Sequence, residues 1–174
     1  MKKKCVFLDR DGVINVDKVD YVYSIDEFKL LPGVIEALNI LKENGFLLIV
    51  ITNQSGIAKG IYSHHDVLIC HEYFDSISGH LIDDYYYSPY HESTSNSLSR
   101  KPDSLMFERA IAKYNINIAE SWMVGDKERD TLPAKKIGLK TIAVDDANNE
   151  NRFADFFCHN LLDAAKKIAH SCAL

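Results

Sequence analysis

Phe46-Leu47-Leu48-Ile49-Val50-Ile51 is the longest apolar run in the chain. Six residues suit a strand rather than a helix, and with no polar alternation both faces must be covered. That is the requirement of a parallel strand sandwiched between helices. Just upstream, Gly33 to Asn44 places Val34, Leu38 and Leu41 on one face of a helix. Pro32 stands where helices begin and Gly45 where they end.

The same alternation extends in both directions. Cys5 to Leu8 reads as a strand, and His64 to His80 as a helix followed by a strand at Tyr85 to Tyr87. Ser104 to Tyr114 reads as a helix, Ser121 to Val124 as a strand, Thr131 to Ile137 as a helix and Thr141 to Val144 as a strand. A helix runs from Leu161 onward. This order predicts an α/β fold, a Rossmann-like open parallel sheet with helices on both faces. His91 to Ser99, rich in Ser, Thr and Asn, is a loop.

The 174 residues fit one domain, and the formal net charge of −5 provides no global basic field for nucleic acid or an anionic membrane. Met1-Lys2-Lys3-Lys4 precedes an apolar run that Asp9 stops after four residues, too soon for a signal peptide. No stretch is long enough to span a membrane. The cysteines Cys5, Cys70, Cys158 and Cys172 show no paired spacing and read as small hydrophobes in a reducing compartment. The cytoplasm is the expected location.

Ligands of such sheets bind beyond the carboxyl ends of the strands. The first strand ends in Asp9-Arg10-Asp11-Gly12 and the second in Thr52-Asn53-Gln54-Ser55-Gly56. Arg100-Lys101-Pro102 precedes the Ser104 helix, and Gly125-Asp126 follows Val124, with Asp130 four residues later. Taken singly, Asp-Gly and Gly-Asp are turns, Thr52 a cap and Arg100-Lys101 solvated surface. Their occurrence at successive strand ends is what those readings leave unexplained. Asp9, Asp11 and Asp126 make an oxygen-rich pocket for a hard cation, of which Mg²⁺ shared with a phosphate is the natural candidate.

In this ordered set the chain resembles the haloacid dehalogenase superfamily. Phe7-Leu-Asp9-Arg-Asp11-Gly12, Val50-Ile-Thr52-Asn53, Lys101 and Val124-Gly-Asp126-Lys-Glu-Arg-Asp130 match its four motifs in order. The wording is closest to the D-glycero-D-manno-heptose 1,7-bisphosphate phosphatases and the related histidinol-phosphate phosphatases. It shares Asp9-Arg-Asp-Gly-Val-Ile-Asn15, Tyr21-Val22, Leu31-Pro-Gly33, Thr52-Asn-Gln-Ser-Gly-Ile-Ala58, Gly60, Arg100-Lys-Pro102 and Met123-Val-Gly-Asp-Lys127. The resemblance implies a single domain over residues 1–174 with a minimal cap. It also implies a Mg²⁺-dependent monoester hydrolase acting on a small phosphorylated sugar, in the supply of nucleotide-activated heptose for surface glycans. The enzyme is expected to be a monomer with neither nucleic acid nor membrane as partner.

By the same resemblance Asp9 is the nucleophile. The metal is held by Asp9, the Asp11 carbonyl and Asp126. Asp11 is general acid and base, Thr52 and Lys101 hold the transferring phosphoryl group, and Asp130 orients Lys101 or metal-bound water from behind. Arg10, Asp17, Tyr21, Asn53, Gln54, Ser55, Arg100 and Lys127 contact substrate, with Arg100 suited to a distal phosphate. One residue is inserted in the turn Asp17-Lys18-Val19-Asp20-Tyr21. Those enzymes usually carry a zinc loop, Cys-Pro-His-His and then Cys-x-Cys before Arg-Lys-Pro. Here Ser88, Tyr90, Ser97 and Ser99 stand at the ligand positions, and His91 alone is a poor zinc site, so no zinc is expected; hydroxyl hydrogen bonds are one way to hold the loop, and what orders it is left open. A histidinol-phosphate, other sugar-phosphate or nucleic-acid 3′-phosphate substrate is the alternative enzyme reading. Non-catalytic alternatives are a degenerate binding protein and a phosphoacceptor receiver domain. A receiver, however, carries adjacent acids after its first strand where this chain has Asp-x-Asp.

Overall fold

The computed structural model describes residues 2–145 and 150–171. Six strands form one parallel sheet: β1 (Cys5–Leu8), β2 (Leu47–Asn53), β3 (Asp84–Ser88), β4 (Trp122–Gly125), β5 (Lys140–Val144) and β6 (Phe156–Cys158). Their order across the sheet is β3-β2-β1-β4-β5-β6. Five α-helices connect and flank them: α1 (Val34–Glu43), α2 (His64–Ile77), α3 (Leu105–Tyr114), α4 (Glu128–Lys136) and α5 (Leu161–His170).

The alternation of side chains along each strand divides the core in two. Val6, Leu8, Leu48, Val50, Val124, Ile142 and Val144 face a layer containing Leu38 and Leu41 of α1, Phe74 of α2 and Ile168 of α5. Cys5, Phe7, Ile49, Ile51 and Met123 face the other way, toward Met106 and Phe107 of α3 and Ala134 of α4. Phe7 meets Phe107 edge to face, with ring centroids 5.2 Å apart. The all-apolar run thus serves two layers, each fully buried large side chain contributing about 1.5–3 kcal/mol of transfer free energy.

The elements expected from sequence are present, with two differences. The three-residue edge strand β6 has two exposed phenylalanines, so no buried run marks it; it forms by pairing with β5. Helix α4 starts at Glu128 rather than near Thr131, because the Asp130 carboxylate accepts from the Lys127 backbone N–H (3.1 Å) and caps the first turn. Among the described cysteines, Cys5, Cys70 and Cys158 are free thiols; Cys172 lies outside the described residues. No helix among the described residues is long and apolar enough to cross a membrane.

From β1 the chain winds outward to β2 and β3, then crosses back to β4 on the other side. The reversal leaves a crevice between the carboxyl ends of β1 and β4. There the Asp9 N–H donates to Val124 O (3.0 Å), fixing the two strand ends to each other.

Candidate active site

Four side chains form the floor of that crevice. Asp9 follows β1, Asp126 follows β4, Asp130 lies in the first turn of α4, and Lys101 comes from the segment before α3. Lys101 Nζ is 2.8 Å from Asp9 Oδ1, 2.6 Å from Asp130 Oδ1, and donates to Ile51 O at 2.7 Å. The ammonium, on a lysine only 1 % exposed, thus has one hydrogen bond and two carboxylates in ion-pair contact to offset its burial. Burial alone would lower the Lys101 pKa, but Asp130 and Asp9 outweigh it and hold the ammonium charged. Burial, then the Asp130 charge, pushes Asp9 up to about 6 despite Lys101. Burial and Asp9 likewise raise Asp126.

Oxygen atoms of Asp9, Asp126 and Asp130 lie within 4.8 Å of one another. Asp126 Oδ2 pairs with Lys127 Nζ at 2.5 Å, whereas Asp126 Oδ1 is buried with no hydrogen-bond partner. An all-oxygen set in which Asp126 Oδ1 has no partner and the Asp9 and Asp126 pKa values are raised suits a hard divalent cation. Gly12 makes this proximity possible: its φ is +87°, and a β-carbon there would sit 2.5 Å from Asp126 Oδ2.

The Asp11 carboxylate points away from these acids. It accepts from Arg10 Nη2 (2.9 Å) and Nε (3.2 Å), Asn15 Nδ2 (2.9 Å) and Gln54 Nε2 (3.0 Å), and stays 17 % exposed toward the cleft. Gln54 Nε2 also donates to Thr52 Oγ1 (2.9 Å), and Gln54 Oε1 accepts from Tyr62 Oη (2.8 Å). With a lone pair of Thr52 engaged by Gln54, the threonine O–H is left to donate elsewhere. The Asn53 side chain pairs reciprocally with the Lys101 backbone, donating to its C=O at 2.9 Å and accepting from its N–H at 3.0 Å. Arg10 is buried, its guanidinium bound to Asp11 and to Val22 O (2.6 Å), while its backbone N–H donates to Asp9 Oδ1 (2.7 Å). The side chains of Arg10, Asn53 and Gln54 thus brace neighbouring site residues while also lining the cleft above, and Arg10 Nη1 is left without a hydrogen-bond partner.

Above the floor opens a cleft of about 250 Å³. Asp17, Tyr21, Ser55 and Arg100 line it, so the structure brings these sequence-selected residues together with Asp11. Tyr21 takes a left-handed backbone conformation (φ +70°), accepts from Lys59 Nζ (2.7 Å) and packs edge-on against Tyr62. Four contributors escaped the sequence reading: Asn15, which holds Asp11, together with Tyr62, Lys59 and Arg129, the last also lining the cleft. A signal for Tyr62 lies in Gly56, where any β-carbon would clash with the Tyr62 ring.

The loop presenting Arg100 is tied by hydroxyls. Ser99 Oγ is 3.2 Å from Ser88 Oγ and 2.9 Å from Ser97 Oγ, which in turn accepts from the Ser99 N–H. Arg100 Nη1 donates to Tyr90 O (3.1 Å), and His91 Nδ1 bonds Ser93 Oγ (2.8 Å).

The haloacid dehalogenase-like hydrolase family matches residues 3–138. The D-glycero-beta-D-manno-heptose-1,7-bisphosphate 7-phosphatase of Haemophilus ducreyi is 43 % identical over 150 residues, covering 81 % of this chain and 82 % of its own. The enzyme of the same name from Pasteurella multocida is 42 % identical over 146 residues, covering 79 % of each. Among solved structures, a D,D-heptose 1,7-bisphosphate phosphatase from B. bronchiseptica, complexed with magnesium and phosphate, superposes with a TM-score of 0.88. It is 26 % identical and covers 97 % of this chain and 99 % of its own. The chain belongs to the haloacid dehalogenase-like hydrolases.

Proposed function

We propose that this chain is a phosphatase that removes a phosphate monoester from a small sugar through an aspartyl-phosphate on Asp9. The observation that carries the reading is the buried cluster of Asp9, Asp126 and Asp130 around the Lys101 ammonium at the foot of an open cleft. A divalent cation, Mg²⁺ by the chemistry of the donor set, would be held by Asp9, Asp126 and the Asp11 carbonyl. It supplies the neutralisation that lets one anion approach another.

The residues then divide the work. A carboxylate oxygen of Asp9 attacks phosphorus, and the bond to the sugar oxygen breaks. Asp11, held at the cleft by Arg10, Asn15 and Gln54, protonates the departing alkoxide and then takes a proton from the water that cleaves the acyl phosphate. Lys101 and the free O–H of Thr52 stabilise the phosphoryl oxygens. Asp130 keeps Lys101 aimed through their 2.6 Å contact, which favours a positioning role over direct metal ligation. Asp17, Tyr21, Ser55 and Arg100 line the cleft to read the sugar and any further phosphate, with Arg10, Asn53 and Gln54 beside them, and Lys127 reaches substrate from its pair with Asp126.

The substrate we favour is D-glycero-D-manno-heptose 1,7-bisphosphate, losing its C7 phosphate. Relatives of that name at about 40 % identity, and the two arginines beside the sugar cleft, support it. We read residues 1–174 as one catalytic domain, working as a monomer in the cytoplasm without a structural zinc. The test is phosphate release from this bisphosphate, from its β and α anomers separately, and from histidinol phosphate, with Mg²⁺ present. Preferential loss of the C7 phosphate, abolished by Asp9→Asn, is expected. Turnover retained by Asp9→Asn would remove the nucleophile assignment, and a preference for histidinol phosphate would replace the substrate.

A further inference from the structure

We propose that Arg129 joins Arg100 in gripping the substrate's second phosphate, the one that is not transferred, and so makes the enzyme selective for bisphosphates. This rests on the phosphatase reading above and adds to it a residue that determines specificity.

Arg129 lies in the first turn of α4, one residue before Asp130 and three after Asp126. Asp126 and Asp130 point into the floor, whereas Arg129 itself is solvent-accessible and lines the cleft wall together with Arg100, Asp17 and Tyr21. The acids around it already have cations in contact. Lys101 touches Asp9 and Asp130, and Lys127 touches Asp126. The Arg129 guanidinium makes no hydrogen bond or ion pair among the described residues, although Asp130, Asp9, Asp126 and Asp17 lie within electrostatic reach. Its charge is balanced only at a distance by those acids, and its five donors are unused.

Arg100 faces the same space and is in a similar state. One donor, Nη1, is spent on Tyr90 O, and the rest of its fork is unspent. The two cations share a cleft of about 250 Å³ with no carboxylate bonded between them. Burial and the Arg129 charge both lower the Arg100 pKa, so the pair repel across that space. Two guanidiniums lining one cleft are relieved by an anion that both can fork, and a phosphate dianion has the charge and the oxygens.

That anion is not the one being transferred. The reacting phosphate must sit on Asp9, Thr52 and Lys101, each 3 % exposed or less, whereas Arg100 and Arg129 stand outward at the rim.

The experiment compares kcat/KM for heptose 1,7-bisphosphate with that for heptose 7-phosphate, using the full chain with Mg²⁺ and the Arg129→Gln and Arg129→Lys variants. Arg129→Gln should lower the bisphosphate-to-monophosphate ratio roughly 10–100-fold, chiefly through the bisphosphate KM. Arg129→Lys should recover part of the ratio, because it keeps the charge and loses the fork. Arg100→Gln combined with Arg129→Gln should cost less than the product of the single losses, since both hold one group. An unchanged ratio, with or without a general loss of rate, overturns the inference and leaves the phosphatase intact. A wild-type enzyme that hydrolyses neither sugar phosphate removes the functional reading and the inference with it.

Discussion

Replacing Asp9 by Asn should destroy turnover and yet stabilise the metal-free protein. Folding buries this carboxyl beside Asp130, so it keeps its proton up to about pH 6, whereas the ordinary value is 3.8. Between those values folding takes up a proton, so the stability of the wild type falls as pH rises through the window and stays low above it. A shift of about two units corresponds to about 3 kcal/mol. The carboxamide introduced by Asp9→Asn has no proton to lose, and Lys101 keeps Asp130 and Ile51 O as partners. At pH 7.5 in EDTA the variant should therefore be the more stable by up to about 3 kcal/mol, roughly 6–12 °C in Tm for a chain of this size. At pH 4, where Asp9 is largely protonated, the difference should shrink toward zero. Urea unfolding of both proteins from pH 4 to 7.5 measures it. A variant equal to or weaker than wild type at pH 7.5, or a gap that ignores pH, would refute the reasoning. Added Mg²⁺ should narrow the gap by stabilising the wild type.

Lys101→Met leaves Asp9 and Asp130 buried without their cation; we expect a loss of about 3–5 kcal/mol in denaturant unfolding and at least about 100-fold in kcat. Gln54→Ala frees Asp11 and Thr52 and strands the Tyr62 hydroxyl, which should cost about 1–3 kcal/mol and lower kcat more than it raises KM. Gly12→Ala puts a methyl against Asp126 at a φ of +87°; the Mg²⁺ concentration for half-maximal activity should rise, with a stability cost of about 1–3 kcal/mol. Chelation should stop phosphate release and Mg²⁺ restore it, while elemental analysis of the purified protein should show no stoichiometric zinc.

Burial pattern carried the fold into view. An apolar run such as Phe46–Ile51 cannot be satisfied except by cover on both sides, and the strand ends then name the candidate site. What escaped detection lacks such a pattern. The edge strand β6 owes its existence to a neighbour rather than to its own residues. Tyr62 lies eight residues beyond Gln54, and only folding shows its hydroxyl holding that amide. Arg129 reads as solvated charge on a helix, since sequence alone does not reveal that Lys101 and Lys127 have already taken the nearby acids. Conversely, Asn53 and Gln54 do stand beside the cleft, but their amides are consumed internally, an allocation set by three-dimensional hydrogen bonding.

The chain of hydroxyls through Ser88, Ser99 and Ser97 gives the Arg100 loop a fastening made wholly of neutral oxygen. Such a fastening has no thiolate to oxidise. The presentation of Arg100 should thus be the same before and after peroxide or thiol-alkylating treatment, and a chelator titration of activity should report on a single class of ion, the one at the reacting phosphate.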